Sequence, residues 1–355
     1  MMALEENPDA GVRIVSPQVS MHETEALGVH PTFVVIESAM DRAVVGFGDN
    51  SIRALSFAEG QGAPTEIANL EYTPLSAQAD IGGKGVLVGT DGGQLMLVAG
   101  SEVTELLHFD SGWVENIAVQ ETAGLRAASA GRVLIVSDAE GNRLLRRDDH
   151  PSTISGLSFS PDGNWIAAAH YNGVTVWKAT DPTAEPVHLE WHGSHTSVAW
   201  SPNGAFIVTA MQDREMHCWR WDTQKGMRMS GYPSKIRSLT WTSDSRFIAA
   251  SGADTVTSWD CTGEGPSGKP PLEFGYVYNG IVMHVAAHPI GTKIAGGYND
   301  GTVVIGNVEQ ETAMIARAGG SRPIVGLSWN MDGSKLVSVD DRGSISVMSL
   351  LEPMA

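Results

Sequence analysis

The chain repeats one pattern of strands and turns from end to end, and this repeat limits its fold more than any other feature. The clearest copy spans residues 152–179, where three β-rich segments are separated by the turns Ser160–Gly163 and Asn172–Gly173. The same frame begins again at His195, Ile236 and Ile324. A repeat of this kind determines the architecture, so it has to be interpreted before any single motif.

The turn between the second and third strands marks the period of the repeat. It falls at Asp49, Asp91, Gly131, Asn172, Asp213, Asp254, Asp300 and Asp341, at spacings of 40 to 46 residues. This period is typical of propeller blades that each contain four antiparallel strands. The markers therefore predict eight such repeats.

The two ends of the chain complement each other. The last repeat ends at Leu350 with too few residues left for a fourth strand, and the segment Gly11–Ser20 alternates like a strand that has no blade of its own. We therefore predict an all-β propeller of eight four-stranded antiparallel blades, with the ring closed by this N-terminal strand. Seven blades is the alternative if repeat one or two is degenerate. Residues 11–352 form one propeller domain in this prediction, after a flexible N-terminus at residues 1–10.

Composition narrows the classes of function. The chain has 41 acidic and 23 basic residues, a formal net charge of −18, which disfavours general binding to nucleic acid. No segment approaches 18 consecutive apolar residues, and the first residues lack the basic start and apolar run of a signal peptide. Cys218 and Cys261 lack CxxC spacing, and two free thiols suit a reducing compartment. We expect a cytoplasmic monomer without membrane association.

Signals for catalysis are weak. The chain has no nucleophile elbow, no phosphate-binding glycine loop on a strand-to-helix turn, and no helical pattern long enough to carry one. We predict that the protein is not an enzyme. A catalytic site in the propeller channel is the alternative, and it would have to be demonstrated by turnover of a small molecule.

Three segments resemble WD-repeat propellers: SGLSFSPDGNWIAAAHYNGVTVW, TSVAWSPNG and IVGLSWNMDGSKL. Only Trp221-Asp222 and Trp259-Asp260 have the Trp-Asp dipeptide of that family. The resemblance implies a rigid platform for binding proteins. It also implies that the hydrogen-bonded Asp-His-Ser-Trp network of the family is mostly absent here, so that apolar packing stabilises the blades.

A narrower resemblance is carried by AAAHYNGVTVW, LEWHGSH, MQDREMHCWRW and KGMRMSGYPSKIRSLTW. Together they resemble a bacterial WD-repeat family of α-proteobacterial type, whose members are often encoded beside GTPases of the cobalamin-synthesis-W type. Those GTPases resemble zinc metallochaperones. The resemblance therefore implies a bacterial setting and a GTPase of this class as a candidate partner.

Histidines cluster in the two central repeats and supply the candidate site. His195 stands where the other repeats have Ile or Val, and Tyr171 and Gln212 occupy matching turns of adjacent repeats. We predict that Tyr171, His192, His195 and Gln212 form a protein-binding surface at one mouth of the channel, which makes the protein a non-enzymatic interaction scaffold.

Two other roles for the histidines stay open. His170, His192 and His195 could hold Zn²⁺ through neutral imidazole nitrogens, which would suit an accessory protein of a metallochaperone GTPase. No cofactor other than zinc is implied. Hydrogen-bonded structural histidines are the third interpretation, because none of the spacings matches a zinc motif such as HExxH or CxxC.

Overall fold

The computed structural model describes residues 12–16, 18–58, 62–320 and 322–351. The predicted flexible N-terminus at residues 1–10 lies outside the described residues, as do both outer bounds of the predicted domain, residues 11 and 352. The described part is built from β-strands and two short 3₁₀ helices, Ser38–Met40 and Ile81–Gly83. No helix in these ranges is long and apolar enough to cross a membrane.

The first three sheets follow one another along the chain, and each has four antiparallel strands in sequence order. The first sheet contains Pro31–Glu37, Arg42–Phe47, Ser51–Ser56 and Thr65–Asn69. The second contains Pro74–Ala79, Val86–Thr90, Gln94–Ala99 and Glu102–His108. The third contains Val114–Gln120, Leu125–Ala130, Val133–Asp138 and Arg143–Arg147. The repeats with the weakest turn signals thus form regular sheets.

The remaining strands form four more sheets, numbered fourth to seventh. The fourth contains Gly156–Phe159, Trp165–Lys178, Val187–Trp200, Phe206–Met211, Met216–Arg220 and Gly226–Met229. The fifth contains Leu239–Trp241, Phe247–Ala250, Val256–Asp260 and Leu272–Phe274. The sixth contains Val282–Ala287, Lys293–Tyr298, Val303–Asn307, Thr312–Arg317 and the short Arg13–Ile14. The seventh contains Ile324–Trp329, Lys335–Asp340, Ile345–Leu350 and Val19–Glu23.

The prediction of an all-β propeller with four-stranded antiparallel sheets is confirmed, but the prediction of eight separate four-stranded blades is wrong. The described strands form seven hydrogen-bonded sheets, so the propeller counted by sheets has seven blades. The repeats that begin near Ile154 and His195 share the six-stranded fourth sheet. The alternative of seven blades was tied to degeneracy of repeat one or two. Both of those repeats form regular sheets, so the number seven has a different origin.

The shared sheet has a local cause in two strands of 14 residues, Trp165–Lys178 and Val187–Trp200. The first bends at Asn172 and Gly173, whose φ angles of 73° and 143° lie outside the extended region. Elsewhere, several residues without strand structure separate one repeat from the next. Between Glu190 and His195 the chain stays in strand conformation throughout, so no break divides the sheet.

The N-terminal segment contacts two sheets rather than one. Arg13–Ile14 pairs in parallel with Thr312–Arg317, the outer strand of the sixth sheet. Val19–Glu23 pairs antiparallel with Ile345–Leu350 of the seventh sheet, and Ser20 lies opposite Ser349. The single strand predicted for Gly11–Ser20 is therefore two short strands. Only Val19 and Ser20 of the predicted segment belong to the one beside the last repeat.

Side-chain contacts hold this N-terminal strand in place. The Glu23 carboxylate accepts hydrogen bonds from Arg317 Nη2 at 2.8 Å and from Ser344 Oγ at 3.1 Å. The Thr24 hydroxyl accepts one from the Ile345 backbone N–H at 3.1 Å. These contacts link the sixth sheet, the N-terminal strand and the seventh sheet. They join parts of the chain that are about 300 residues apart in sequence.

Replacing Glu23 with glutamine is expected to lower the free energy of unfolding by about 1 kcal/mol, because Arg317 loses its ionic partner at a site only partly open to solvent. Urea denaturation of the intact chain measures the change. Glu25→Gln is the matched control, because Glu25 is an exposed carboxylate two residues away. Equal effects of the two changes would show that the Glu23 contact does not stabilise the fold.

The apolar core lies between neighbouring sheets. The tryptophans that recur at equivalent repeat positions were predicted to pack there, and each is at most 9% exposed. They are Trp177, Trp200, Trp219, Trp241, Trp259 and Trp329. Their burial leaves the loops at the ends of the sheets as the surface for function.

Candidate protein-interaction site

One end of the sheets carries two kinds of segment: the turns between second and third strands, and the connections that lead into the next repeat. We call this end the connection face. Asn50 Nδ2 donates a hydrogen bond to Glu71 O at 3.3 Å, and the Tyr171 backbone N–H donates one to Ser152 Oγ at 3.1 Å. Such bonds in different sheets hold turn and connection together, so the face is supported by the scaffold.

Exposed aromatic side chains concentrate on the connection face. Among the described residues, the large hydrophobic side chains that are exposed include five aromatic ones, and all five lie in these turns or connections. They are Tyr72, Trp113, Tyr171, Trp191 and Tyr278, which are 36–64% exposed. The large hydrophobic side chains that are exposed in the described turns at the opposite end are Met40, Ile290 and Met331, and none of them is aromatic. The two ends of the propeller therefore differ in chemistry.

A pocket of about 700 Å³ opens on this face at the fourth sheet. Its walls come from the connection at Pro151 and Ser152, from the bend at residues 170–174, and from the strand at residues 188–192. Tyr171 pairs with Ser194, and Gly173 pairs with Glu190, so the bend and the strand are held in register. We call this cavity the Tyr171 pocket.

Two of the predicted site residues meet at the rim of the pocket. The rings of Tyr171 and His192 lie edge to face, with centroids 6.1 Å apart, and both side chains are exposed. Asn172 Oδ1 accepts a hydrogen bond from the Gly193 backbone N–H at 3.2 Å, which fixes the chain beside His192. These rings are positioned to contact a partner.

His170 lies at the base of the same pocket but is largely buried. Its Nδ1 donates to Tyr171 O at 2.7 Å, and its Nε2 lies 3.0 Å from Thr175 Oγ1. Burial lowers the pKa of His170. The imidazole is therefore a neutral, hydrogen-bonded support for the bend.

His195 does not reach the surface, contrary to its predicted place in the partner-binding set. It is completely buried, its Nε2 donates to Trp191 O at 2.9 Å, and its Nδ1 lies 2.8 Å from Thr209 Oγ1. Its ring centroid is 5.7 Å from that of Trp219. A hydrogen-bonded His-Thr pair beside Trp219 is thus present in this repeat, so its stability does not depend on apolar packing alone.

Gln212 lies on the same face but does not line the Tyr171 pocket. Its side chain is exposed, and its backbone N–H donates to Ser194 O at 2.9 Å. Ser194 in turn pairs with Tyr171. Gln212 is therefore connected to the pocket through the backbone, as part of the neighbouring surface.

Sequence reasoning missed Trp191 and its support, His217. The two rings stack with centroids 3.9 Å apart, and Trp219 contacts the other side of His217 at 4.4 Å. Neither ring nitrogen of His217 has a hydrogen-bond partner, and burial lowers its pKa to about 3. His217 therefore acts as a neutral aromatic ring that supports Trp191 from below. The signal for Trp191 was available, since it is a tryptophan outside the repeated core positions.

The predicted zinc set of His170, His192 and His195 is not supported by this geometry. No group of three His, Cys, Asp or Glu side chains suited to a metal ion is present among the described residues. Both ring nitrogens of His170 and of His195 are engaged by backbone carbonyls and threonine hydroxyls. A metal would have to displace those hydrogen bonds, because zinc binds the same imidazole nitrogens.

Carboxylates outnumber cations on the connection face. Its exposed acidic side chains are Glu25, Asp49, Glu71, Asp110, Asp148, Asp149, Glu190, Asp213 and Asp254. Its exposed basic side chains are Arg132, Arg214, Lys235, Arg237, Arg322 and Arg342. The aromatic surface is therefore set in a negative field, which favours positively charged partners over phosphate backbones.

Comparison with known proteins gives matches over different shares of the chain. The family model described as "WD domain, G-beta repeat" matches residues 141–178, 186–220 and 224–262. These three segments fall in the third, fourth and fifth sheets, and they contain Tyr171, His192 and His217.

Several curated proteins are similar to the chain. Protein HIR1 of Mycosarcoma maydis is 23% identical over 68% of this chain and 21% of its own length. The chromatin assembly factor 1 subunit FAS2 homolog of Oryza sativa is 30% identical over 30% of this chain and 22% of its own. WD repeat-containing protein 1-B of Xenopus laevis is 26% identical over 56% of this chain and 35% of its own length. The chain spans well under half the length of each.

Two solved structures share the fold. The C-terminal WD40 domain of Sif2 superposes with a TM-score of 0.72 at 16% identity, covering 94% of this chain and 99% of that domain. The computationally designed Ika8 protein superposes with a TM-score of 0.71 at 16% identity, covering 95% and 99%. Likeness at this level of identity concerns the fold alone.

Proposed function

We propose that this chain is a WD40-repeat β-propeller and that it acts as a non-enzymatic scaffold, which binds a protein partner through its connection face. Tyr171 and His192 are the central contact residues in this proposal, Gln212 belongs to the surrounding surface, and His195 supports the site from behind. The observation that carries the proposal is the confinement of exposed aromatic side chains to this one face.

The physical argument rests on rigidity and on side-chain type. Tyrosine and tryptophan bury much apolar area, lose little conformational entropy and keep a polar group, so they are enriched in protein interfaces. Here they lie on short connections held by hydrogen bonds to the sheets, so little ordering is needed on binding. Five such side chains on one face form a pre-organised binding surface.

The relatives give the proposal a general setting. The printed names of two of them refer to chromatin assembly and to WD repeats, and WD40 propellers generally bind protein partners. Because the chain spans only part of those proteins, their partners are not transferred to it. A bacterial cytoplasm, and a GTPase of the cobalamin-synthesis-W type as partner, are narrower proposals that come from the resemblance in sequence.

Photo-cross-linking tests the scaffold function. With a benzophenone amino acid at position 171 we expect covalent adducts with a partner in lysate of the source organism, and the same adducts after treatment with EDTA. The matched control carries the probe at position 290, an exposed site in a turn at the opposite end of the sheets. Purified GTPase replaces the lysate when that candidate is tested.

Each outcome of the cross-linking experiment has a definite meaning. Adducts at position 171 that are absent at position 290 support binding through the connection face. Equal adducts at both positions, or none at position 171, would contradict it. Loss of the adducts on treatment with EDTA would show that binding of the partner depends on a metal ion and would favour the zinc-linked alternative.

A further inference from the structure

The Tyr171 pocket combines aromatic surface with negative charge. Tyr171, Trp191 and His192 are among the residues that line it, and the rings of Tyr171 and His192 lie 6.1 Å apart at its rim. Glu190 lines the same pocket with an exposed carboxylate. No lysine or arginine is among the described residues that line it. Aromatic faces next to a carboxylate attract cations.

Further charges around the rim have the same sign. A carboxylate oxygen of Asp213 lies 3.0 Å from the point where a Cβ on Gly193 would stand, directly beside His192. Asp149 is an exposed carboxylate two residues before Pro151, which lines the pocket. Thus Asp149 and Asp213 add negative charge in segments that adjoin the pocket lining.

The nearby cations are engaged by backbone carbonyls. Arg132 Nε donates to His150 O at 2.6 Å, next to Pro151 in the chain, and Arg214 Nη1 donates to Pro233 O at 3.1 Å. Burial keeps the pKa of His170 low, so the base of the pocket carries no positive imidazole at neutral pH. Glu190 is therefore the charged side chain among the described residues that line the pocket, and it is negative.

We infer that the Tyr171 pocket binds the arginine or lysine side chain of a basic segment in the protein partner. The inference rests on the proposed scaffold function and adds the chemistry of the partner. Charge complementarity selects a cation, and the rings of Tyr171 and His192 at the rim provide aromatic surface for a guanidinium or ammonium group. The volume of about 700 Å³ admits such a side chain together with flanking residues of its segment.

The test is a binding titration with defined peptides. A fluorescently labelled glycine- and serine-rich peptide with three arginines is compared, by anisotropy at physiological salt, with the same peptide containing citrulline instead. Citrulline keeps the shape of arginine and removes its charge. We expect the arginine peptide to bind about tenfold more tightly.

Two variants locate the binding and two controls match them. Tyr171→Leu and Glu190→Gln change exposed side chains of the pocket, and each is expected to weaken binding of the arginine peptide about three- to tenfold. Tyr278→Leu and Glu66→Gln make the same chemical changes at exposed positions in other sheets. The controls are expected to change affinity by less than about twofold, because distant surface charges are screened.

Equal affinity for the arginine and citrulline peptides would overturn the inference, and so would equal effects of pocket and control variants. Guanidinium chloride that competes at the same concentration as the peptide would indicate a site for small cations and would also overturn it. Failure here is distinguishable from failure of the scaffold function. Adducts at position 171 with an uncharged partner segment would preserve the scaffold and remove the preference for basic segments.

Discussion

Replacing Asp80 with asparagine is expected to lower the free energy of unfolding by about 3–5 kcal/mol, because the change leaves a buried guanidinium without its counter-ion. Arg126 Nε and Nη2 donate to the two carboxylate oxygens of Asp80 at 2.6 and 2.7 Å. Both residues are less than 5% exposed. Asp80 follows the first strand of the second sheet and Arg126 lies in the third, so the pair joins neighbouring sheets.

Chemical denaturation with urea measures this effect, and an exposed ion pair provides the control. Arg146 and Asp148 form a similarly close ion pair at 2.8 Å, but their side chains are 34% and 59% exposed. Asp148→Asn is expected to cost less than about 1 kcal/mol, because solvent screens the pair. A cost for Asp80→Asn as small as that for Asp148→Asn would show that the buried pair contributes little.

The double variant separates the loss of attraction from the cost of an unpaired charge. Asp80→Leu combined with Arg126→Met removes both charges, and it is expected to be more stable than Asp80→Asn alone. If the double variant were less stable than the single one, the polar pair itself, and not the orphaned charge, would account for the effect.

Lowering the pH from 7.5 to 5.5 is expected to cost at least about 2.5 kcal/mol of stability through His150 and His217. Both side chains are completely buried, and burial lowers their pKa values to about 4 and about 3. In the unfolded chain each histidine has a pKa of about 6.5 and takes up a proton in this range. The unfolded state therefore binds more protons, and stability falls as the pH falls.

The His217→Phe variant tests this origin of the pH dependence. Phenylalanine keeps an aromatic ring under Trp191 and cannot be protonated, so the loss between pH 7.5 and 5.5 should shrink by about 1.3 kcal/mol. The phenylalanine ring would lie next to Gly226, as the imidazole does. Any free-energy cost of fitting it there is the same at both pH values and cancels in the difference. Denaturation midpoints at the two pH values give the result, and an unchanged pH dependence would contradict it.

Carboxylates do not account for the same pH window. Hydrogen bonds from Asn142 and from Thr183 hold the pKa values of Asp138 and Asp181 below their usual value of 3.8. Stabilisation from such groups is present above the unfolded pKa and is lost only at more acidic pH. The decline between pH 7.5 and 5.5 therefore belongs to the histidines.

The candidate site was predictable in part. Tyr171, His170 and His192 could be placed together, because one repeat frame aligned the bend and the following strand. His195 was placed wrongly, since a break in an apolar position is compatible with a buried imidazole as well as with an exposed one. Thr209 and Trp191 decide between the two, and their contacts with His195 depend on the packing of the sheet.

The sequence by itself determined the all-β class, the order of strands and turns, and the burial of the repeated tryptophans, because periodicity and turn chemistry are local properties of the chain. Only the tertiary structure decided that the central repeats share one sheet, that the N-terminal segment divides between two sheets, and that Glu190 and Trp191 meet Tyr171 in a pocket. Those features depend on which strands pair and whether the chain breaks between them, and pairing is settled by contacts between residues far apart in sequence.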